Sequence, residues 1–168
     1  IMADTTGIYG CTALEYSTAG NIVLNGDFSL GATDFSSDYA PGTGGTWGIL
    51  SLAGTYAVAI NPHDTHINFA NFGDHTTGTG NMLVVNGAEV LDQSIWCQTV
   101  AVMPHMTYAF SAWLASATAP SPAILDFTVN GVSVGISFAA VPSAPGAAPF
   151  HKGNSPVVPV FEFEVVMS

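Results

Sequence analysis

Apolar residues in this chain arrive in short runs of β-branched and aromatic side chains, each closed by Gly, Asn, Pro or Asp, and nowhere with the repeat of a helix. A chain punctuated in this way buries its apolar side chains as strands, whose alternate residues face one layer. The expected class is all-β. Residues 22–24, 55–60, 81–85, 94–102, 107–115, 124–129 and 132–138 read as strands. The run 94–102 alternates well, with Ile95, Cys97, Thr99 and Ala101 on one face and Trp96, Gln98, Val100 and Val102 on the other. Asn130-Gly131 separates two such runs and reads as a β-hairpin turn. Asn86-Gly87 reads as a tight type I′ connection, and Asn25-Gly26-Asp27 and Asn61-Pro62-His63-Asp64 read as further turns.

The end of the chain breaks this pattern. Residues 139–159 are rich in Pro, Ala, Gly and Ser and hold half of the chain's ten prolines. Proline donates no ladder hydrogen bond, so this stretch reads as a tether and not as a central strand. Beyond it the alternation returns. Val160, Glu162 and Glu164 fall on one face, and Phe161, Phe163 and Val165 on the other.

Charge narrows the function. Only 8% of the 168 residues are charged, against about 25% in an ordinary soluble domain. Lys152 is the one basic residue, there is no Arg, and the formal net charge is −11. Nucleic acid is excluded as a partner, because phosphate binding needs Lys or Arg to displace counterions. Attraction to anionic lipid fails on the same ground. No apolar run reaches the roughly 18 residues of a membrane helix, so no membrane insertion is expected. A surface of Thr, Ser, Asn, Gly and Ala with Val and Ile among them tolerates close packing against neighbours, which favours a place in an assembly. The alternative is a secreted protein from an organism that avoids basic residues. The chain opens on Ile1 without a basic-plus-apolar leader and reads as a mature, exported product.

Motifs for catalysis are absent from the sequence. There is no Gly-x-Ser-x-Gly elbow, and Glu89, Asp92 and Asp126 are scattered where a glycosidase needs two facing carboxylates. The chain is expected not to be an enzyme. His63, His66 and His75 lie near Asp64 and Asp74, but in loops and without a nearby Cys. They read as surface or loop-packing residues and not as zinc or copper ligands. Trp47, Tyr56, Trp96 and Trp113 are the candidates for stacking on a sugar ring. Trp47, in a Gly-rich loop, and Tyr56 carry that reading, while Trp113 and Tyr108 sit in a core-like strand.

Several blocks are familiar as a set. They are Asn25-Gly26-Asp27-Phe28, then Phe72-Gly73-Asp74-His75-Thr76-Thr77-Gly78 with Gly80-Asn81-Met82, and Val85-Asn86-Gly87. Trp96 with Gln98-Thr99-Val100, Thr107-Tyr108-x-Phe110-Ser111-x-Trp113, Phe127 with Val129-Asn130-Gly131, and Gly135 follow in order. Over residues 21–138 the chain resembles the carbohydrate-binding-module-like, galactose-binding-like jelly rolls of secreted bacterial surface proteins. The resemblance implies a jelly-roll β-sandwich at the cell surface. It also implies a candidate structural calcium site at Asp27 and Asp74, which lie in the two blocks that border such a site in related jelly rolls. The alternative is that both aspartates fix turns through Asx hydrogen bonds.

After residue 139 the family's closing strands are missing. The resemblance therefore implies a sandwich short of strands, with an open groove. Two placements are open for the terminal strand, residues 160–168. Val160, Phe161, Phe163 and Val165 enter the groove of a neighbouring copy, or the tail folds back as an edge strand of its own sandwich. The expected layout is an N-terminal segment 1–20, a jelly roll 21–138, a tether 139–159 and the terminal strand. The expected role is an extracellular structural or adhesive subunit that assembles with copies of itself into a filament or surface array by strand donation. The alternative is a carbohydrate-binding module with a polysaccharide partner.

Cys11 and Cys97 are the two cysteines, far apart and without metal spacing. In an exported chain one disulfide pinning segment 1–20 to the body is expected, and two separate buried thiols are the alternative. Such a bridge contributes a few kcal/mol, at the long-loop end of the usual range. Thiol titration of denatured, unreduced protein should find no reactive group; two per chain would contradict the bridge.

Overall fold

The structure, a computed structural model, describes residues 21–101, 111–118, 124–138, 151–154 and 164–167, which are mostly strand with almost no helix. The strands are β1 (Ala40–Pro41), β2 (Thr55–Ala59), β3 (Met82–Asn86), β4 (Ser111–Ser116), β5 (Ile124–Val129), β6 (Val132–Phe138), β7 (His151–Asn154) and β8 (Glu164–Met167). Six of them form one sheet in the order β1-β2-β3-β8-β4-β7, and β5 with β6 forms a two-stranded sheet. Among the described residues no helix is long and apolar enough to cross a membrane.

β3 organises the sheet. Met82-Leu83-Val84-Val85 is apolar without alternation, the mark of a strand covered on both faces. All four side chains are fully buried. Leu83 and Val85 join Ala112 and Leu114 of β4 on one face, beneath Val23, Phe28, Tyr39 and Trp96. Tyr56 and Val58 of β2 and Leu125 and Phe127 of β5 pack against that cluster. On the opposite face Met82 and Val84 meet Ala115 and Ala117, covered by Leu50, Phe69 and Phe72. Each such Leu, Val, Met or Phe side chain contributes about 1.5–3 kcal/mol by leaving water.

The β5–β6 hairpin forms where the sequence puts it. Asn130 and Gly131 have φ of 52° and 74°, and Val129 pairs with Val132 across them. Phe127 pairs with Gly135 but Thr128 with Ser133, so Val134 is an extra residue and the strand bulges there.

Elsewhere pairing departs from expectation. Residues 22–24 are not a strand, because a side chain has taken the partner's place. Leu24 N–H donates to Gln98 Oε1 at 2.9 Å, and Gln98 Nε2 donates to the Leu24 carbonyl at 3.0 Å and to the Asp34 carbonyl. The well-alternating run 94–102 contracts to an antiparallel bridge between Cys97 and Ser36. Alternation permits a strand, but the partner segment is a Gly-rich loop turned by Asp34 at φ 65°. Asn86-Gly87 does not make a tight hairpin; Asn86 ends β3 and its Nδ2 holds the Leu50 carbonyl at 2.8 Å. β1 was hidden by Pro41, and lies at the edge of the sheet, where a missing N–H is tolerated. The stretch read as a tether contains β7, a proline-free segment that also lies at an edge, beside β4.

The terminal strand is the largest departure. β8 lies between β3 and β4, parallel to both, with Val165 opposite Leu83 and Leu114 and Val166 opposite Val84 and Ala115. It pairs within its own chain, and at the centre of the sheet instead of at an edge. A central position satisfies the ladders of β3 and β4 at once, where an edge position satisfies one. Of the four residues expected to carry the contact, Val165 lies in β8, while Val160, Phe161 and Phe163 lie outside the described residues. Cys97 is half-buried and has no disulfide partner among the described residues, and Cys11, its expected partner, lies outside them.

Candidate functional site

Two loops carry the side chains the sequence singles out, and each is fixed by its own polar groups. The first follows Phe72. Asp74 is buried, and its carboxylate accepts from Thr77 N–H and Thr77 Oγ1, both at 2.7 Å, and from the N–H groups of Gly80 and Thr76. Burial by itself pushes this carboxyl up, but the hydrogen bonds outweigh it and hold the group below its ordinary value. Gly73 is required here, because a Cβ would overlap the Gly78 carbonyl. His75, next in sequence, stacks on Trp113 of β4 with ring centroids 3.4 Å apart, so the loop is tied to the sheet by a ring as well as by core packing.

Asp27 serves its own turn. Its Oδ1 accepts from Ser29 N–H at 3.1 Å and Ser29 Oγ at 2.9 Å, and the residue is exposed. The turn is tight: Asn25 and Phe28 both have φ of 52°, and Phe28 is fully buried in the core. Asn81 Nδ2 donates to the Phe28 carbonyl at 2.8 Å, so the two aspartate blocks are sutured through the residue after Gly80. Both carboxylates are engaged as Asx acceptors. A calcium ion at Asp74 would have to displace four donors that already surround it.

The second loop presents Trp47. Pro62–Asp64 forms a 3-10 turn capped by Asn61, whose side chain accepts from His63 N–H at 3.1 Å. Thr65 Oγ1 and the Thr65 and His66 N–H groups return to the Pro62 carbonyl. The Trp47 segment is stapled to this turn by Leu50 N–H on the Thr65 carbonyl at 3.0 Å and Ile67 N–H on the Trp47 carbonyl at 2.8 Å. Gly48, at φ 128°, permits that approach, since a Cβ there would collide with the Thr65 carbonyl. Ser51 Oγ completes the fixing by accepting from Trp47 N–H at 2.8 Å.

Three rings result in series. Phe69 is buried in the core, His66 lies 4.5 Å from it at 20°, and Trp47 lies 6.5 Å beyond at 28°. Trp47 keeps 47% of its surface exposed and Ile49, two residues on, is exposed as well, while Ile67, whose N–H holds the Trp47 carbonyl, is exposed with Asn68 on the adjoining segment. Trp96, by contrast, is buried at 5% in the core. Burial lowers the His66 pKa, and its Nδ1 accepts from Asn68 N–H at 3.2 Å, a bond only an unprotonated Nδ1 makes. His63 faces another way, its Nδ1 against the Phe69 carbonyl at 3.0 Å. Among the described residues no three His, Cys, Asp or Glu side chains gather as a metal set.

Tyr56 does not join Trp47. It packs edge-on against Phe35 at 5.7 Å, on the first core cluster. The period of two along β2 explains the split: Tyr56 and Val58 face one cluster, Ala57 and Ala59 the other. The sequence named Trp47, and His66 as a surface or loop-packing residue, but neither Phe69 nor the stack of the three, because stacking across a loop leaves no spacing rule. Comparison with family models, with curated proteins and with solved structures finds no match to this chain.

Asp74→Asn should cost about 2 kcal/mol at neutral pH, because an amide donor then faces N–H groups that need an acceptor. Asp27→Asn, at the surface, should stay within about 0.5 kcal/mol. The acid limb carries the sign. Asp74 has a lowered folded pKa, so its stabilisation is full above 3.8 and is lost as pH falls through the folded value. His66 is also lowered, so its cost is absent above 6.5 and grows as pH falls below that. Chemical-denaturation midpoints across pH should thus show two falling steps in the parent and only the upper one in Asp74→Asn. Identical acid limbs below pH 3.8 would contradict the assignment.

Proposed function

We propose that this chain is an extracellular, non-catalytic adhesive domain that binds neutral polysaccharide on Trp47, presented by a jelly-roll sandwich. The three-ring series ending in Trp47 carries the reading. A half-exposed indole held from both sides of its peptide unit is a flat apolar face whose orientation needs no further ordering, which lowers the entropic cost of binding. Sugar rings bind such faces through their C–H surfaces while neighbouring polar groups take the hydroxyls, here Asn68 and the loop carbonyls. The charge selects among glycans. With a net charge of −11 and one Lys, an anionic polysaccharide is repelled and a neutral one is not. In this reading Asp27 and Asp74 are turn-fixing residues that keep the presenting loops in shape, and the site needs no cofactor.

Affinity electrophoresis through gels containing soluble neutral polysaccharides tests it. The parent protein should be retarded by at least one of them. Trp47→Ala should weaken binding about tenfold, since a lost aromatic stack is worth about 0.5–1.5 kcal/mol beyond its area and each 1.4 kcal/mol is tenfold. Its thermal midpoint should stay near the parent's, because the ring is exposed. No retardation by any neutral glycan, or equal retardation of both proteins, would contradict the proposal.

A further inference from the structure

Asparagine is chemically labile, and most so before glycine, whose N–H reaches the asparagine side-chain carbonyl carbon with no side chain of its own in the way. The chain holds three such pairs, Asn25-Gly26, Asn86-Gly87 and Asn130-Gly131. The sequence does not separate them, but the fold does.

Asn25 is locked by its own amide. Its Nδ2 donates to the Gly31 carbonyl at 2.9 Å, to the Thr33 carbonyl at 3.1 Å and to Thr33 Oγ1 at 3.2 Å, and its Oδ1 accepts from Leu30 N–H at 3.0 Å. Gly26, which would supply the attacking nitrogen, is buried, and opening this turn would unseat Phe28 from the core. Asn86 ends β3 opposite Thr55, with its Nδ2 on the Leu50 carbonyl at 2.8 Å and its own carbonyl accepting from Gly54 N–H at 2.9 Å.

Asn130 carries none of these restraints. It and Gly131 are exposed, and among the described residues no hydrogen bond reaches the Asn130 side-chain amide. The space where Gly131 would carry a side chain is open. In a two-residue turn the ladder bonds join the flanking residues, here Val129 and Val132, so the Gly131 N–H takes no part in them. Type I′ geometry holds that nitrogen away from Asn130 Cγ, so the tip of the hairpin has to open first. The tip is poorly held. β5 and β6 form a two-stranded sheet, and the bulge at Val134 leaves two residue pairs beyond it, Thr128 with Ser133 and Val129 with Val132.

We infer that Asn130 is a site of spontaneous covalent modification, losing its amide to attack by Gly131 in the folded chain ahead of the other two pairs. The Gly131 nitrogen gives its proton to base and bonds to Asn130 Cγ. The Cγ–Nδ2 bond breaks, and Nδ2 takes a proton from solvent and leaves as ammonia. Water then opens the five-membered imide. Opening at Cγ leaves aspartate, which accepts positive φ and fits the turn. Opening at the main-chain carbonyl leaves isoaspartate, whose extra backbone atom shifts Val129 from its place opposite Val132. Trp47 and the loop that presents it take no part, so the inference stands apart from the glycan reading.

Peptide mapping by mass spectrometry tests it, on the folded full chain held in mildly alkaline buffer and on a parallel sample in denaturant. In the folded chain Asn130 should convert at least about tenfold faster than Asn25 and Asn86, which corresponds to about 1.4 kcal/mol of easier opening. In denaturant the three rates should converge. Asn25 or Asn86 converting as fast as Asn130 in the folded chain, or a rate ratio that denaturant leaves unchanged, would overturn the inference.

Discussion

The burial of β3 on both faces is the constraint from which the rest of the structure follows. Met82 to Val85 offer no polar side chain to solvent, so one layer must cover Leu83 and Val85 and another must cover Met82 and Val84. The first cover is built from the turn at Phe28, the segment around Trp96 and the β5 hairpin strand. The second is built from loop residues Leu50, Phe69 and Phe72. The loops that carry the candidate chemistry are thus pieces of the core's lid. Their tips are held in place by Asp74, Gln98 and Ser51, and their roots by apolar burial.

This arrangement explains why Trp47 is presented and not buried. Leu50 and Phe69 seat the two loop segments against β3 and its neighbours, and the hydrogen bonds between them set their distance. His66 fills the layer between Phe69 and Trp47, neutral because burial disfavours its charge. The outermost ring has nothing left to cover. A buried base, a fixed middle ring and an exposed face together make a platform whose rigidity comes from the fold.

How much of this was readable in the sequence depends on how local each signal is. Asn130-Gly131 and the apolar run at 82–85 act through turn chemistry and burial alone, and both gave the observed elements. The alternation at 94–102 is equally clear but produces one bridge, because a strand needs a partner and periodicity does not say where one lies. Gln98 shows the same limit, since its amide imitates a strand ladder to Leu24 from 74 positions away. Proline-rich composition made the 139–159 stretch read as a tether, yet its proline-free residues 151–154 form an edge strand. For the site, Trp47 was readable as a loop aromatic, while Tyr56 was misplaced because facing depends on which cluster β2 meets. The four-donor environment of Asp74 follows from the backbone path of residues 76–80, which no spacing encodes.

The dependence of the sheet on β3, with β8 beside it, is tested most directly by amide hydrogen exchange resolved to single residues. Amides of Met82–Asn86 and of Glu164–Met167 should form the slowest group and exchange together, because opening either strand breaks the ladder that joins the two halves of the sheet. Those of the edge strands Ala40–Pro41 and His151–Asn154 should exchange sooner. Protection in β3 no greater than in the edge strands, or β8 amides that exchange freely while β3 stays protected, would contradict that dependence.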